Sequence, residues 1–327
     1  MNRQSRCVKR NISGVLLLDK PSRISSNQAV QIAKRIFAAC KAGHTGTLDP
    51  LATGLLPICF GEATKFSSAL LGADKTYEAT LRLGHISTTG DAEGEISAVC
   101  DVHPQDDLKL TLPQVETILR RFIGVIAQVP PMYSALKHQG KPLYTYARKG
   151  VEIERRPREV IIHDLRMEVL AGDEMRVVVK CGTGTYVRTL AEDIGKALGC
   201  GGAYLTALRR SSLDDFDLSR AHTLDALEAM APAQRDACLH PADSLLHHFP
   251  AAVLEGAAVA SLLQGRVVGS RFSMDSPHNP DNLPSFTEGT KIRLYDQERR
   301  FLGLGEVTAR GEIAPKRLIS GIVAGTL

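Results

Sequence analysis

The chain has 327 residues, 43% of them hydrophobic and 23% charged, which matches an ordinary soluble globular protein with room for about two domains. Its net charge of +4 is too mild to name a partner, but nine Lys/Arg stand against the single acid Asp19 up to Lys41, and seven stand against Glu152 and Glu154 from Lys137 to Arg158. Seven scattered cysteines without a C-x-x-C pair speak against disulfides and a zinc site, and the absence of any membrane-length apolar run speaks against a membrane protein. A cytoplasmic protein is expected. The two basic segments suit a polyanionic partner, although solvated faces are the commoner reason for such runs.

In chain order, "GVLLLDKP" reads as a buried strand ended by a turn. Ser25 or Ser26 then caps a helix whose apolar residues Ala29, Val30, Ala33, Ile36 and Phe37 follow helical spacing. A Gly/Thr-rich turn, "GHTGTLDP", leads into the strand-like "GLLPICFG", and "KTYEATLRLG" alternates as a strand with Tyr77 near its start. "LPQVETILRRFIG" looks helical. An irregular stretch of prolines, tyrosines and bases follows, "QVPPMYSALKHQGKPLYTYARKGVEIERRP". Two strands come next, "EVIIHDLRMEVL" and "EMRVVVKCG", then "GTYVRTLAEDIGKALG" entering a helix, and "GGAYLTALRR" as a further strand. Beyond Pro250 come a short helix, "LEGAAVASLLQG", a Pro/Asn/Asp/Ser-rich loop over residues 270–289, and two short strands, "KIRLYD" and "FLGLGEV". Strands and helices without a regular βαβ alternation predict an α+β fold with a mixed, largely antiparallel sheet. The composition change near Pro250 predicts a second, small β-rich domain over residues 251–327.

No P-loop, dinucleotide fingerprint, H-E-x-x-H, G-x-S-x-G or paired metal-ligand pattern is present. What remains is Asp49, the only acid between Asp19 and Glu62, set among small residues with bases on both flanks. An Asp before a Pro is often only a turn former. The alternative is a lone nucleophile or base completed by tyrosines and arginines from elsewhere. His44 nearby reads equally as a hydrogen-bonded turn residue, and Tyr77 as a core aromatic of its strand.

Five motifs occur in order: "GVLLLDKP", "GHTGTLDPLATGLLP", "KTYEATLRLG", "VPPMYSALKHQGKPLYTYARKG" and "KCGTGTYVRTLAEDIG". Together they closely resemble the bacterial TruB family of tRNA pseudouridine-55 synthases. The ending "KIRLYDQERRFLGLGEVTARGEIAPKRLI" resembles the PUA-type RNA-binding module of such enzymes. The resemblance implies a catalytic domain over residues 14–250, preceded by a basic leader (1–13), and a PUA-like domain over 251–327. It implies isomerisation of a T-loop uridine with base flipping, no cofactor and no metal, tRNA as partner through its T-arm and no obligatory protein partner. The oligomeric state is left open by the sequence, with a monomer expected. Asp49 matches the essential carboxylate, Arg188 its guanidinium partner, and Tyr77 a residue that stacks on the flipped uracil and takes the C5 proton. His44 matches a residue that fills the gap left by the flipped nucleotide. Lys20 belongs to the structural "KP" turn, Tyr186 is an active-site tyrosine, and Leu208 lines the base pocket. Gly43, Gly46 and Gly54 are expected to let backbone approach the ribose. Lys137, Lys141, Arg148 and Lys149 fall in a mobile thumb, about residues 124–152, that grips the RNA.

Overall fold

The computed structural model describes residues 9–100, 111–269 and 287–320, and the backbone of Phe272–Met274. The first two thirds of the chain supply strands β1 (Gly14–Lys20), β2 (Ala42–His44), β3 (Thr53–Phe60), β4 (Lys75–Leu83), the small pair β5 (His85–Ser87) and β6 (Ile96–Ala98), and β7 (Gly124–Gln128). After them come the two-residue pair β8 (Lys137–His138) and β9 (Lys141–Pro142), then β10 (Arg158–Ala171), β11 (Glu174–Cys181), β12 (Ala203–Leu213) and β13 (Phe216–Asp217). The helices of this part are α1 (Ser26–Ile36), α2 (Leu112–Arg120), α3 (Leu143–Ala147), α4 (Val187–Ala197), α5 (Leu224–Ala229) and α6 (Pro232–Ala237).

Among the described residues, nine strands form one sheet in the order β1-β3-β12-β4-β11-β10-β7, with β2 on β3 and β13 on β12. The pairings are antiparallel except for β3 with β12, which run parallel and meet only at Arg209↔Thr53 and Arg210↔Gly54. The two halves of the sheet therefore join at a short seam and diverge beyond it.

Strand alternation decides which face each residue serves. Leu16, Leu18, Tyr77, Ala79, Leu81 and Leu83 pack with α1 and α4 on one face, while Val15, Leu17, Leu55 and Cys59 form a second core on the other. Helix α1 starts where the hydroxyl of Ser25 accepts the Gln28 N–H and the Gln28 side chain returns to the Ser25 N–H, a capping box that satisfies two otherwise orphan donors. Its buried stripe of Ala29, Val30 and Ala33 continues to Phe37, whose ring lies 4.9 Å from that of Phe60.

The C-terminal part has its own five-stranded sheet and its own core, centred on Leu254, Leu262, Ile292, Leu294 and Ile313. Its elements are β14 (Ala251–Leu254), α7 (Gly256–Leu263), β15 (Phe272–Met274), β16 (Lys291–Tyr295), β17 (Phe301–Val307) and β18 (Ile313–Leu318). Phe301, Leu304 and Ile319 also pack into the second core of the larger sheet, and Phe301 meets Phe66 edge-on at 5.4 Å. Lys65 Nζ donates to the Leu318 carbonyl at 2.9 Å.

Three expectations change. The helix expected over "LPQVETILRRFIG" ends at Arg120, and Gly124–Gln128 is instead the edge strand paired with β10. The excursion from the sheet thus begins at Val129 rather than at Gly124. The C-terminal sheet uses β14, β15 and β18 in addition to the two strands legible in the sequence, and β15 lies within the stretch expected as a loop. Most of the 270–289 loop, and residues 1–8 of the leader, lie outside the described residues. Within the leader, Arg10 is not free for a polyanion, because its guanidinium pairs with Asp236.

Candidate active site

The Asp49 turn sits where the sheet halves part, and it is fixed from the start of α1. Ser26, next to the capping serine, is buried; its hydroxyl donates to the Leu48 carbonyl at 2.9 Å and accepts the Leu48 N–H at 2.8 Å. The Ala52 N–H donates to the Asp49 carbonyl at 3.1 Å, closing the turn. Lys20 ends β1 fully buried, with Nζ donating to the carbonyls of Pro21 (2.8 Å), Ile24 (2.7 Å) and Pro50 (3.4 Å). It therefore staples the "KP" turn to the Asp49 turn. Burial pushes its pKa down to about 8, against the pull of Asp49 and Glu93. The turn-former reading of Asp49 is correct as far as it goes, but the side chain does more.

Arg188, the second residue of α4, lies almost entirely out of solvent and places a guanidinium nitrogen 3.1 Å from the Asp49 carboxylate. The same guanidinium donates at 2.8 Å to the carbonyls of Thr89 and of Tyr133, and lies 3.7 Å from the buried Asp91. Asp91 is itself held by the Thr89 hydroxyl at 2.6 Å and the Glu93 N–H at 3.1 Å. Removal from water raises the Asp49 pKa; Arg188 opposes this, Asp91 adds to it, and Lys20 opposes it. A carboxylate beside one buried guanidinium and one buried ammonium keeps its charge while losing much of its hydration, the condition in which an ionised oxygen is reactive.

Tyr77 faces the same space from β4, directly across from Arg210 of β12. Arg210 is buried, donates Nε–H to the Leu55 carbonyl at 2.7 Å and reaches the Gly46 carbonyl at 3.5 Å. Burial raises the Tyr77 phenol pKa and Arg210 opposes it. His44 accepts the Gly46 N–H on Nδ1 at 3.2 Å, which leaves the proton on Nε2; burial, then Arg210, push its pKa down. It is thus a neutral ring, held in the turn by that hydrogen bond and lying near Arg210. Tyr186 caps α4, its backbone held to the Gln128 side chain at 3.1 Å, and burial raises its phenol pKa against the pull of Arg188. Leu208 is both a core leucine and a wall. It is 8% exposed and helps line a cavity of about 700 Å³ that also involves Leu51, Thr53, Glu78, Ala79 and Glu93.

The three glycines differ in what surrounds them. A Cβ on Gly54 (φ +97°) would meet the Arg210 carbonyl oxygen at 2.3 Å, so this glycine serves the seam between β3 and β12 and not a ribose. Gly43 has no neighbour within 4 Å of that position, and Gly46 has only an Arg210 nitrogen at 3.9 Å; both leave open space. Lys137, Lys141, Arg148 and Lys149 are exposed on the excursion after β7, with the Arg148 guanidinium 5.3 Å over the Tyr144 ring. They stand apart from the Asp49 cluster, although Tyr133 of the same excursion is tied to Arg188.

Asp91, Tyr133 and Arg210 were not legible as site residues. Tyr133 contributes a backbone carbonyl, which no side-chain pattern betrays. Arg210 acts on carbonyls from distant strands. Asp91 lies in "STTGDAEG", whose small and acidic residues read as an ordinary loop.

Family models match the chain in three consecutive stretches. The TruB family pseudouridylate synthase N-terminal domain matches residues 34–187, the tRNA pseudouridylate synthase B C-terminal domain residues 188–247, and the pseudouridine synthase II TruB C-terminal domain residues 250–319. A protein of Nitrosospira multiformis called tRNA pseudouridine synthase B is 65% identical over 95% of this chain and 96% of its own length. Another of that name, from Nitrosomonas europaea, is 54% identical over 95% of this chain and 99% of its own. Among solved structures, the archaeal box H/ACA sRNP Nop10–Cbf5 complex contains a chain that superposes with a TM-score of 0.67 at 22% identity, covering 93% of this chain and 85% of that one. At that identity the likeness bears on the fold alone, an α+β pseudouridine synthase fold. Together with the ordered motifs and the geometry around Asp49, these matches place the chain in the TruB family of pseudouridylate synthases.

Proposed function

We propose that this protein isomerises the T-loop uridine at position 55 of tRNA to pseudouridine, in the cytoplasm, as a monomer that grips the T-arm and needs no protein partner or cofactor. The observation that carries this reading is the Asp49–Arg188 pair of 3.1 Å at the opening of the sheet. The reaction breaks C1′–N1, turns the base, forms C1′–C5, releases the C5 proton and returns a proton to N1. Atoms and oxidation level are conserved, so the chemistry calls for no redox group and no phosphate-binding metal.

The reacting carbons are unreachable in a folded loop, so the nucleotide must leave its stack. The open backbone at Gly43 and Gly46 leaves space near the Asp49 turn, and the cavity that Leu208 lines reaches Leu51 and Thr53 of the same segment, although Asp49, Tyr77 and Arg188 do not themselves line it. Asp49, ionised, attacks C1′ or takes a proton from C2′ to give a glycal; both routes use the same carboxylate. Arg188 and Lys20 keep it charged as the base excludes water. Tyr77 stacks on the uracil and relays the C5 proton, its hydroxyl giving up its own proton as it takes the new one; burial raises the phenol pKa against the pull of Arg210, so the group enters the step neutral. A neutral His44 fills the gap in the RNA without adding charge. Tyr186 completes the pocket wall, and the four exposed thumb cations hold phosphates. The PUA-like part, residues 251–327, adds RNA contact away from the chemistry.

The test is nucleoside analysis of an unmodified tRNA transcript incubated with pure protein. Pseudouridine at position 55 alone is expected. Free uracil would indicate a glycosidase, and bound but unaltered tRNA would indicate an RNA-folding protein without chemistry.

A further inference from the structure

Away from the Asp49 cluster, two sequence-distant pairs meet. Asp214 and Asp215 form the turn between β12 and β13, with Asp214 in the left-handed region at φ +54° and its N–H tied to the Asp74 carbonyl at 2.9 Å. Facing them are His247 and His248, in the segment that leads into β14. His247 Nδ1 lies 3.1 Å from the Ser244 carbonyl oxygen, so Nδ1 carries the proton and donates it. Nε2 points at the two carboxylates, 2.8 Å from Asp215 and 3.5 Å from Asp214, and is the nitrogen that would face an ion. One ligand atom from each of Asp214, His247 and His248 lies within 4.8 Å of the others.

The rings are also braced. Phe216 meets His247 edge-on at 6.2 Å, the two histidine rings stand perpendicular at 5.6 Å, and Phe249 covers His248 at 4.1 Å. An imidazole whose far N–H is fixed by a carbonyl is the usual second support of a metal-bound histidine. Two imidazoles with one or two carboxylates suit Zn²⁺, Co²⁺ or Ni²⁺, whereas Mg²⁺ and Ca²⁺ favour oxygen-only shells.

We propose that Asp214, His247 and His248, with Asp215 at the edge, form a divalent transition-metal site that clips the β12–β13 turn to the segment entering the C-terminal sheet. The site is structural and takes no part in the chemistry at Asp49. Asp214 and His248 are exposed, so the ion exchanges freely with solvent. Lys291 and Arg293, which also face His248, lower the affinity that the carboxylates raise.

The test uses the full chain stripped with chelator and desalted. Calorimetric titration with Zn²⁺ should give one ion per chain with low-micromolar affinity, and Co²⁺ should give weak visible d–d bands without thiolate charge-transfer absorption. His248→Gln and His247→Gln should each weaken Zn²⁺ binding by roughly tenfold or more, and saturating Zn²⁺ should raise the melting midpoint of the parent but not of the double variant. His248 is exposed, so its single variant keeps the experiment decisive if His247→Gln folds poorly. Four results would each overturn the proposal: no binding tighter than about 100 µM, which is too weak to stabilise the fold at micromolar metal; unchanged binding in His248→Gln; thiolate absorption; or a protein that instead holds His247 protonated against Asp215 and ignores added metal.

Discussion

Asp49 stands between opposing influences: loss of water raises its pKa, while Arg188 and Lys20 lower it. The net direction is upward, so the acid limb of kcat/KM is expected above the ordinary carboxylate value of about 3.9, with activity lost as pH falls through that limb. Arg188→Gln removes the largest opposing influence and should move the limb further up, besides lowering the rate; a limb that stays put would remove Arg188 from Asp49's electrostatics. Asp49→Asn should abolish pseudouridine formation with tRNA affinity nearly intact, as read by nucleoside analysis and filter binding. Lys20 gives a stability prediction of defined sign. Its folded pKa of about 8 lies below the ordinary lysine value of 10.5, so between those values the unfolded chain binds more protons and the folded state gains as pH rises. Denaturation of parent and Lys20→Met at pH 7.5 and pH 10 should show the parent gaining relative to the variant, on the order of 2–3 kcal/mol; no change would mean that the buried amine is not shifted. Tyr77→Phe keeps the ring and loses the hydroxyl. A role in removing the C5 proton predicts a loss of about two to four orders of magnitude in rate, whereas near-parental turnover, with severe loss in Tyr77→Leu, would leave stacking alone.

Elements differ in how openly the sequence declares them. Helix α1 was readable from its cap and its apolar spacing because both are local, and β4 from its alternation because one face is buried and the other is not. Strand β14 was hidden: "AAVL" has little β-branched character, and its order comes from pairing with β15 and β16, which follow much later in the chain. Edge strand β7 is not marked by the sequence, which extends the preceding helix to Gly124 and assigns no element to Val125–Ala127, because only its hydrogen bonds to β10 set it apart. In the site, Asp49 was legible as a lone acid among bases, and Tyr77, His44 and Arg188 through their motifs. The carbonyl of Tyr133 and the cross-strand reach of Arg210 were not, since neither leaves a pattern in neighbouring residues. The excursion after β7 carries the remaining element-level expectation. If its cations and others release about four to six counterions, tRNA affinity should fall by roughly two to three orders of magnitude between 50 and 200 mM salt. Neutralising Lys137, Lys141, Arg148 and Lys149 together should flatten that slope, and an unchanged slope would place the RNA elsewhere.

At the scale of the whole molecule, a chain ending at Pro250 keeps every residue of the Asp49 cluster. It should retain pseudouridine synthesis, with the defect mainly in KM, because a remote RNA-binding part contributes alike to ground and transition states. It should also melt lower than the full chain, since Phe66 and its neighbours lose Phe301, Leu304 and Ile319. At this size each kcal/mol lost costs about 2–4 °C. A folded truncation that binds tRNA normally and makes no product would overturn this division of labour. The parallel join of β3 with β12 has a mechanical consequence. Two residue pairs join the strands there, supported by side-chain contacts of Arg210 with the Leu55 and Gly46 carbonyls and of Arg209 with Asp19 and Thr53, whereas β1 and β3 share seven pairs and β4 and β11 eight. Asp49 hangs from one half; Tyr77, Arg188 and Arg210 hang from the other. A chain tethered through β1 and β10 and pulled should yield first along this line, extinguishing activity in one early step while each half still keeps its own strands. Catalytic alignment is thus the first property that tension would take away.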